Sequence, residues 1–179
     1  STLLLLLLFF FSSFLFSSLL CSFFLSKKKK KAYCNLSMVC CSLNQFEEAL
    51  QGYEQALDIR RSLLPEDDPQ VALTHNHLGL VHHSMQHTDQ AVAHFQRALE
   101  LYERYGDHMA AANMYLCLAR VARNDGDHAR SLQLYGQAAA IYERSPNCQS
   151  QLADTLDAMA MVFELTGDYL GATSNYRLV

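Results

Sequence analysis

The sequence predicts an all-α solenoid of antiparallel helix pairs, and three observations lead there. A small–aromatic–small triplet at offsets 0, +4 and +7 recurs four times, as Ala49–Tyr53–Ala56, Ala91–Phe95–Ala98, Ser131–Tyr135–Ala138 and Ala172–Tyr176–Val179. Successive triplets lie 42, 40 and 41 residues apart, a period typical of chains whose units stack only on their neighbours. The three prolines, Pro65, Pro69 and Pro146, all fall between units, where a proline-free helical pair leaves room for them. Runs of alternating apolar and polar residues, which would predict strands, are missing.

Each unit can be read from its spacing. Offsets 0, +4 and +7 fall on one face of an α-helix, so every triplet is a stripe along a second helix, B. Twelve residues before each triplet stands another small residue, Ser37, Gly79, Ala119 or Ala160, preceded by Leu36, Leu78, Leu118 or Met159. These predict a first helix, A, with a large apolar side chain beside a notch that helix B can approach closely. Between the helices lies a short polar turn: Asn44-Gln45, His87-Thr88-Asp89, Gly126-Asp127 and Gly167-Asp168. Glycine at a helix C-terminus accepts the left-handed conformation, and the aspartate after it can cap the next helix.

Leu-Gly in helix A, Gly-Asp at the turn and Ala…Tyr/Phe…Ala in helix B together resemble the tetratricopeptide repeat. The standard unit has 34 residues, and these are about seven longer. The run from Ile59 through Pro65-Glu66-Asp67-Asp68-Pro69 to Val71-Ala72-Leu73-Thr74-His75-Asn76-His77-Leu78-Gly79 is similar to the longer repeats of kinesin light chains. The resemblance implies a right-handed superhelix with units at 32–70, 71–110, 111–150 and 151–179, and a first helix A of unusual texture. The fourth unit ends at its third stripe position, so both ends read as cut.

Residues 1–31 are a different material. Ten Leu, seven Phe and seven Ser dominate the first 26 residues, and Lys27–Lys31 follow. Leu3 to Leu25 carries no charge and is long enough to cross a hydrocarbon core about 30 Å thick. The lysines would then hold the repeats on the cytosolic side. The competing reading is a translated pyrimidine tract and purine run outside the true reading frame, given the narrow composition and the lack of an initiating Met. Both readings leave a cytoplasmic repeat domain, associated with a membrane only if residues 3–25 are a genuine anchor.

The net charge of −4 hides an asymmetry: all five lysines sit in that run, so the repeat body sets nine arginines against 18 acidic residues. Phosphate contacts need a basic face, so nucleic acid is set aside as a partner. The resemblance implies instead a protein or peptide ligand in a concave groove lined by the A helices. Its second unit would contribute Leu73, Asn76, Leu80, His83 and Ser84. The third would contribute Asn113, Leu116, Arg120, Arg123 and Asn124, and the fourth Asp154, Asp157, Met161, Glu164 and Leu165. Asn76 matches the first of the family's paired asparagines, whose amide can hold an extended main chain as donor and acceptor. The equivalent positions are Leu116 and Asp157, so the asparagine ladder is broken. Arg120 and Arg123, three apart on one face, suit an acidic segment over the third unit. Asp154, Asp157 and Glu164 suit a basic or neutral end over the fourth.

Six of the eight histidines fall between His75 and His94. His83 and His87 have the i, i+4 spacing of metal ligands, but no acidic residue or cysteine completes a set. His75, His77 and His82 read as pointing in different directions, so solvated or rim histidines and no metal are expected. The six cysteines show no C-x-x-C spacing and read as reduced thiols. No G-x-S-x-G, glycine-rich phosphate loop or H-E-x-x-H is present, and a non-catalytic protein without a cofactor is expected.

Overall fold

Small residues at 3.6-residue spacing, flanked by capping residues, build helices here and nothing else. The computed structural model describes residues 31–167, and every regular element among them is a helix. Helical backbone over 31–42 forms α1; it is followed by α2 (Phe46–Leu63), α3 (Pro69–Ser84), α4 (Thr88–Tyr105), α5 (His108–Asn124), α6 (His128–Glu143) and α7 (Gln149–Thr166). The fourth stripe, Ala172–Tyr176–Val179, lies outside the described residues, as do residues 3–25. No helix among the described residues is long and apolar enough to cross a membrane.

The chain divides into two compact units, residues 1–63 and 64–179. In the first, α1 and α2 are joined by a turn at Asn44, whose φ is 59°. Tyr53 and the alanines either side of it are buried. Gly52 lies so close to the Ser37 side chain that a Cβ would collide with it. The notch expected at Ser37 is therefore real. Leu36 beside it is not packed: it is 60% exposed, and Met38, Val39 and Leu43 are exposed as well. Burial in α1 comes instead from Cys34, Ser37 and Cys40. No described helix of this unit covers the Leu36 side.

The second unit stacks α3 on α4, α4 on α5, α5 on α6 and α6 on α7. Both complete stripes are buried along their whole length: Ala91, Phe95, Ala98 on α4 and Ser131, Tyr135, Ala138 on α6. Each meets its notch. Phe95 packs against Gly79, where a Cβ would sit 2.6 Å from its ring. Ser131 donates a hydrogen bond to the Ala119 carbonyl at 2.9 Å, so a polar residue occupies a small-residue position without an unpaired hydroxyl.

Helix starts follow the capping rules. Asp68 accepts from Gln70 N at 2.8 Å with Pro69 as the first residue of α3, and Asp127 accepts from Arg130 N at 3.0 Å. Gly126 holds φ 81° just before it. The same Gly-Asp device recurs between α4 and α5, where Gly106 (φ 81°) precedes Asp107, which caps Ala110 N. The turn between α3 and α4 departs from this. Gln86 takes the left-handed conformation at φ 62°, and His87 makes no capping bond.

Candidate functional site

Helices α3, α5 and α7 each bury one face and leave the opposite stripe accessible. On α3 the buried side is Val71, Ala72, Thr74, His75, Leu78, Gly79 and Val81. Leu73 and Leu80 on the other side are exposed, and Asn76 and His83 are half-buried. On α5 Asn113, Arg120 and Asn124 are exposed, with Leu116 and Arg123 half-buried. On α7 Asp157, Met161, Glu164 and Leu165 are all exposed. Every candidate groove residue thus reaches the surface of its helix.

The stripes differ in chemistry. Leu73 and Leu80 on α3, and Met161 and Leu165 on α7, are large apolar side chains left in water. Between them in the chain stands a cationic turn: among the described residues neither Arg120 nor Arg123 has an acidic partner, whereas Arg97 is held by Glu66 and Glu100. Asn76 Oδ1 is buried and meets no donor, a state that costs about 1–3 kcal/mol if left so. Asn113 is anchored, its Oδ1 accepting from the Tyr142 hydroxyl at 2.9 Å. Tyr142 belongs to the core formed with Ala112, Ala138 and Cys148, so this groove position is fixed from behind.

Two features escape the sequence pattern. The first is Tyr135, whose ring is a stripe residue but whose hydroxyl is buried without a hydrogen-bond partner. Burial raises its pKa, while the positive charges of Arg123 and Arg120 pull the other way. The structure brings these three together at one place on α5 and α6. The signal in the sequence is the hydroxyl itself, since Phe95 holds the same position in the preceding pair. Burial also raises the neighbouring Cys117 thiol, with Arg120 opposing.

The second is a histidine row. His75 is buried, only 5% exposed, and its Nδ1 lies 2.9 Å from His94 Nδ1. His82 stacks on His94 with centroids 5.3 Å apart and planes within 11°, and His87 lies 5.8 Å from His82. The expectation that His75 and His82 diverge is corrected, since a spacing of seven is two turns and returns both rings to the α4 side. The expectation of solvated or rim histidines fails at buried His75 alone, for His82, His83 and His94 are half-buried and His87 is exposed. Among the described residues no group of three or more His, Cys, Asp or Glu could hold a metal ion. The described cysteines are free thiols, with Cys34, Cys40 and Cys148 buried.

A stack of helix pairs with buried small–aromatic stripes and accessible, varied A-helix stripes defines a helical repeat solenoid, the class of a protein-interaction scaffold. The tetratricopeptide repeat model matches residues 31–104 and 110–178. The chain belongs to the tetratricopeptide repeat family, with repeats of the longer kinesin light chain type. It is 26% identical to Protein HGV2 of Halocynthia roretzi over 67% of its length and 22% of that protein's. It is 24% identical to Protein KINESIN LIGHT CHAIN-RELATED 2 of Arabidopsis thaliana over 76% of its length and 21% of that protein's. Its fold is similar to that of BtubC (BKLC) from P. vanneervenii, with a TM-score of 0.74, 22% identity, and coverage of 82% of this chain and 59% of that one. The chain thus spans about a fifth of the length of these curated relatives.

Proposed function

We propose that this scaffold takes an extended peptide or a partner helix in a groove lined by α3, α5 and α7, without catalysis. The units at 71–110, 111–150 and 151–179 would each present one A-helix stripe. The observation that carries the reading is the pair of guanidinium groups without an acidic partner, Arg120 and Arg123, on the A helix that follows accessible Leu73 and Leu80 and precedes accessible Met161 and Leu165 in the chain. Such a surface suits a segment with acidic residues over α5 and apolar side chains toward both ends. Asp154 and Asp157 favour a basic or neutral residue over α7.

A peptide-display screen against the full chain tests this. Acidic sequences with apolar flanks should be enriched, and the double variant Arg120→Glu, Arg123→Glu should weaken them at least ~30-fold, about 2 kcal/mol for two charge-assisted contacts. Binding that is unchanged by the reversal sinks the reading.

A further inference from the structure

The His75–His94 contact lies away from the accessible stripe and plays no part in that groove. Two imidazole Nδ1 atoms at 2.9 Å form a hydrogen bond only if one is protonated and the other is not. We propose that this pair is a one-proton latch between α3 and α4, which holds the two helices together at neutral pH and releases them on acidification.

The surroundings favour a single proton. On α3 the titratable residues are His77, His82 and His83, of which His82 stacks on His94, and at the start of α4 His87 lies within 5.8 Å of His82. A proton on His82 would be a like charge beside a second proton on the pair. One turn beyond His94, Arg97 is a cation engaged by Glu66 and Glu100, so those carboxylates serve the arginine. Tyr102, two turns beyond, is the one ionisable residue among the buried side chains of α4. Helix α5, packed on α4, buries Ala111, Ala112, Met114, Leu118, Ala119, Val121 and Ala122, none of them ionisable. His75 itself is 5% exposed, so a second charge gains little from water.

The sign follows. In the unfolded chain each imidazole binds its proton near pH 6.5, the ordinary value. In the fold the second proton would set two N–H donors face to face, so the contact must open. The unfolded state therefore binds more protons below about pH 6.5, and stability falls as pH drops through that point. Because Leu73, Asn76 and Leu80 share α3 with His75, loosening of this helix would also disturb the stripe they form.

Thermal unfolding of the full 179-residue chain at pH 7.5 and pH 5.5, compared with His94→Gln, tests the latch. The glutamine amide can still meet His75 but carries no titrating proton. The melting temperature of the wild type should fall by at least about 3 °C more than that of the variant over this interval. An equal fall in both overturns the latch. Should the variant not fold, ring-nitrogen NMR of the wild-type chain decides. A through-bond coupling between the two Nδ1 atoms, with proton uptake at the pair in two separated steps, supports it. Independent titration of His75 and His94 at ordinary imidazole values overturns it.

Discussion

The helix pairs α3/α4 and α5/α6 share one skeleton and little else. In both, a small–aromatic–small stripe is buried against a small residue of the preceding helix. In the first pair the aromatic is Phe95 and the notch is Gly79; in the second they are Tyr135 and Ala119. A bare glycine lets the phenyl ring approach α3 more closely than a Cβ would allow, whereas in the second pair the notch residue is Ala119, whose carbonyl accepts from the Ser131 hydroxyl. Around these stripes the chemistry diverges. The first pair has a histidine row and an uncapped turn; the second has tyrosine hydroxyls, a Gly-Asp turn and a core of Ala119, Tyr135 and Val162. Repeated positions carry the packing, and the unrepeated ones carry what distinguishes the two pairs.

The largest effect should come from removing the shared feature. Phe95→Ala would empty a site that is 1% exposed and should cost about 3–5 kcal/mol, read by urea denaturation. Breaking the difference at the notch should cost less. Gly79→Ala puts a Cβ 2.6 Å from the Phe95 ring and should destabilise by about 1–3 kcal/mol through overpacking. Combined with Phe95→Leu, the same alanine should be far less harmful. If Gly79→Ala is neutral alone, the two notches are equivalent and the contrast is wrong.

The turns come next. Asp127→Ala removes the cap on α6 and should cost about 1 kcal/mol. At the matching place before α4, Gln86→Gly with His87→Asp would install the device of the second pair. It should raise stability by about 1 kcal/mol by relieving the left-handed Gln86 and capping α4. A loss on making both changes would mean that His87 serves the histidine row more than the turn.

These predictions also mark how far the sequence could be read. Offsets of 0, +4 and +7 locate the buried stripe because they depend only on helix geometry within one element. The candidate groove residues, from Leu73 to Glu164, come from the family resemblance and not from these offsets, and they are exposed or half-buried. Gln86 was opaque because nothing in its identity announces a positive φ; only the closing of the turn imposes it. The His75–His94 contact depends on how two helices are rotated against each other, which no single-helix pattern contains, although the seven-residue spacings His75–His82 and His87–His94 carry half of it. The Tyr142–Asn113 bond is of the same kind. Leu36 shows the converse: it has the right residue at the right offset, yet it stays exposed, because burial requires a covering element and not only a periodic position.

The smallest expected effect lies at the other end of the pH scale, where α5 meets α4. Tyr115 is pushed up to about 12, first by burial and then by its hydrogen bond to Glu103 at 2.7 Å and that carboxylate's charge. Burial also raises Tyr135 and Tyr142. A phenol that ionises near 10 in the unfolded chain and later in the fold contributes stability below pH 10 and loses it as pH rises toward the folded value. Because the Tyr115–Glu103 bond joins α5 to α4, part of this alkaline loss falls at the junction of the two pairs, with Tyr135 and Tyr142 adding to it within α5/α6, whereas the acid loss belongs to the His75–His94 contact between α3 and α4. Tyr115→Phe should reduce the fall in melting temperature between pH 8 and pH 10.5, by a small amount because this side chain is half-exposed and well screened. The same substitution should leave the fall between pH 7.5 and pH 5.5 unchanged. If it altered the acid limb instead, the tyrosine and histidine sites would not titrate independently, and the assignment of the acid loss to the His75–His94 contact would have to be abandoned.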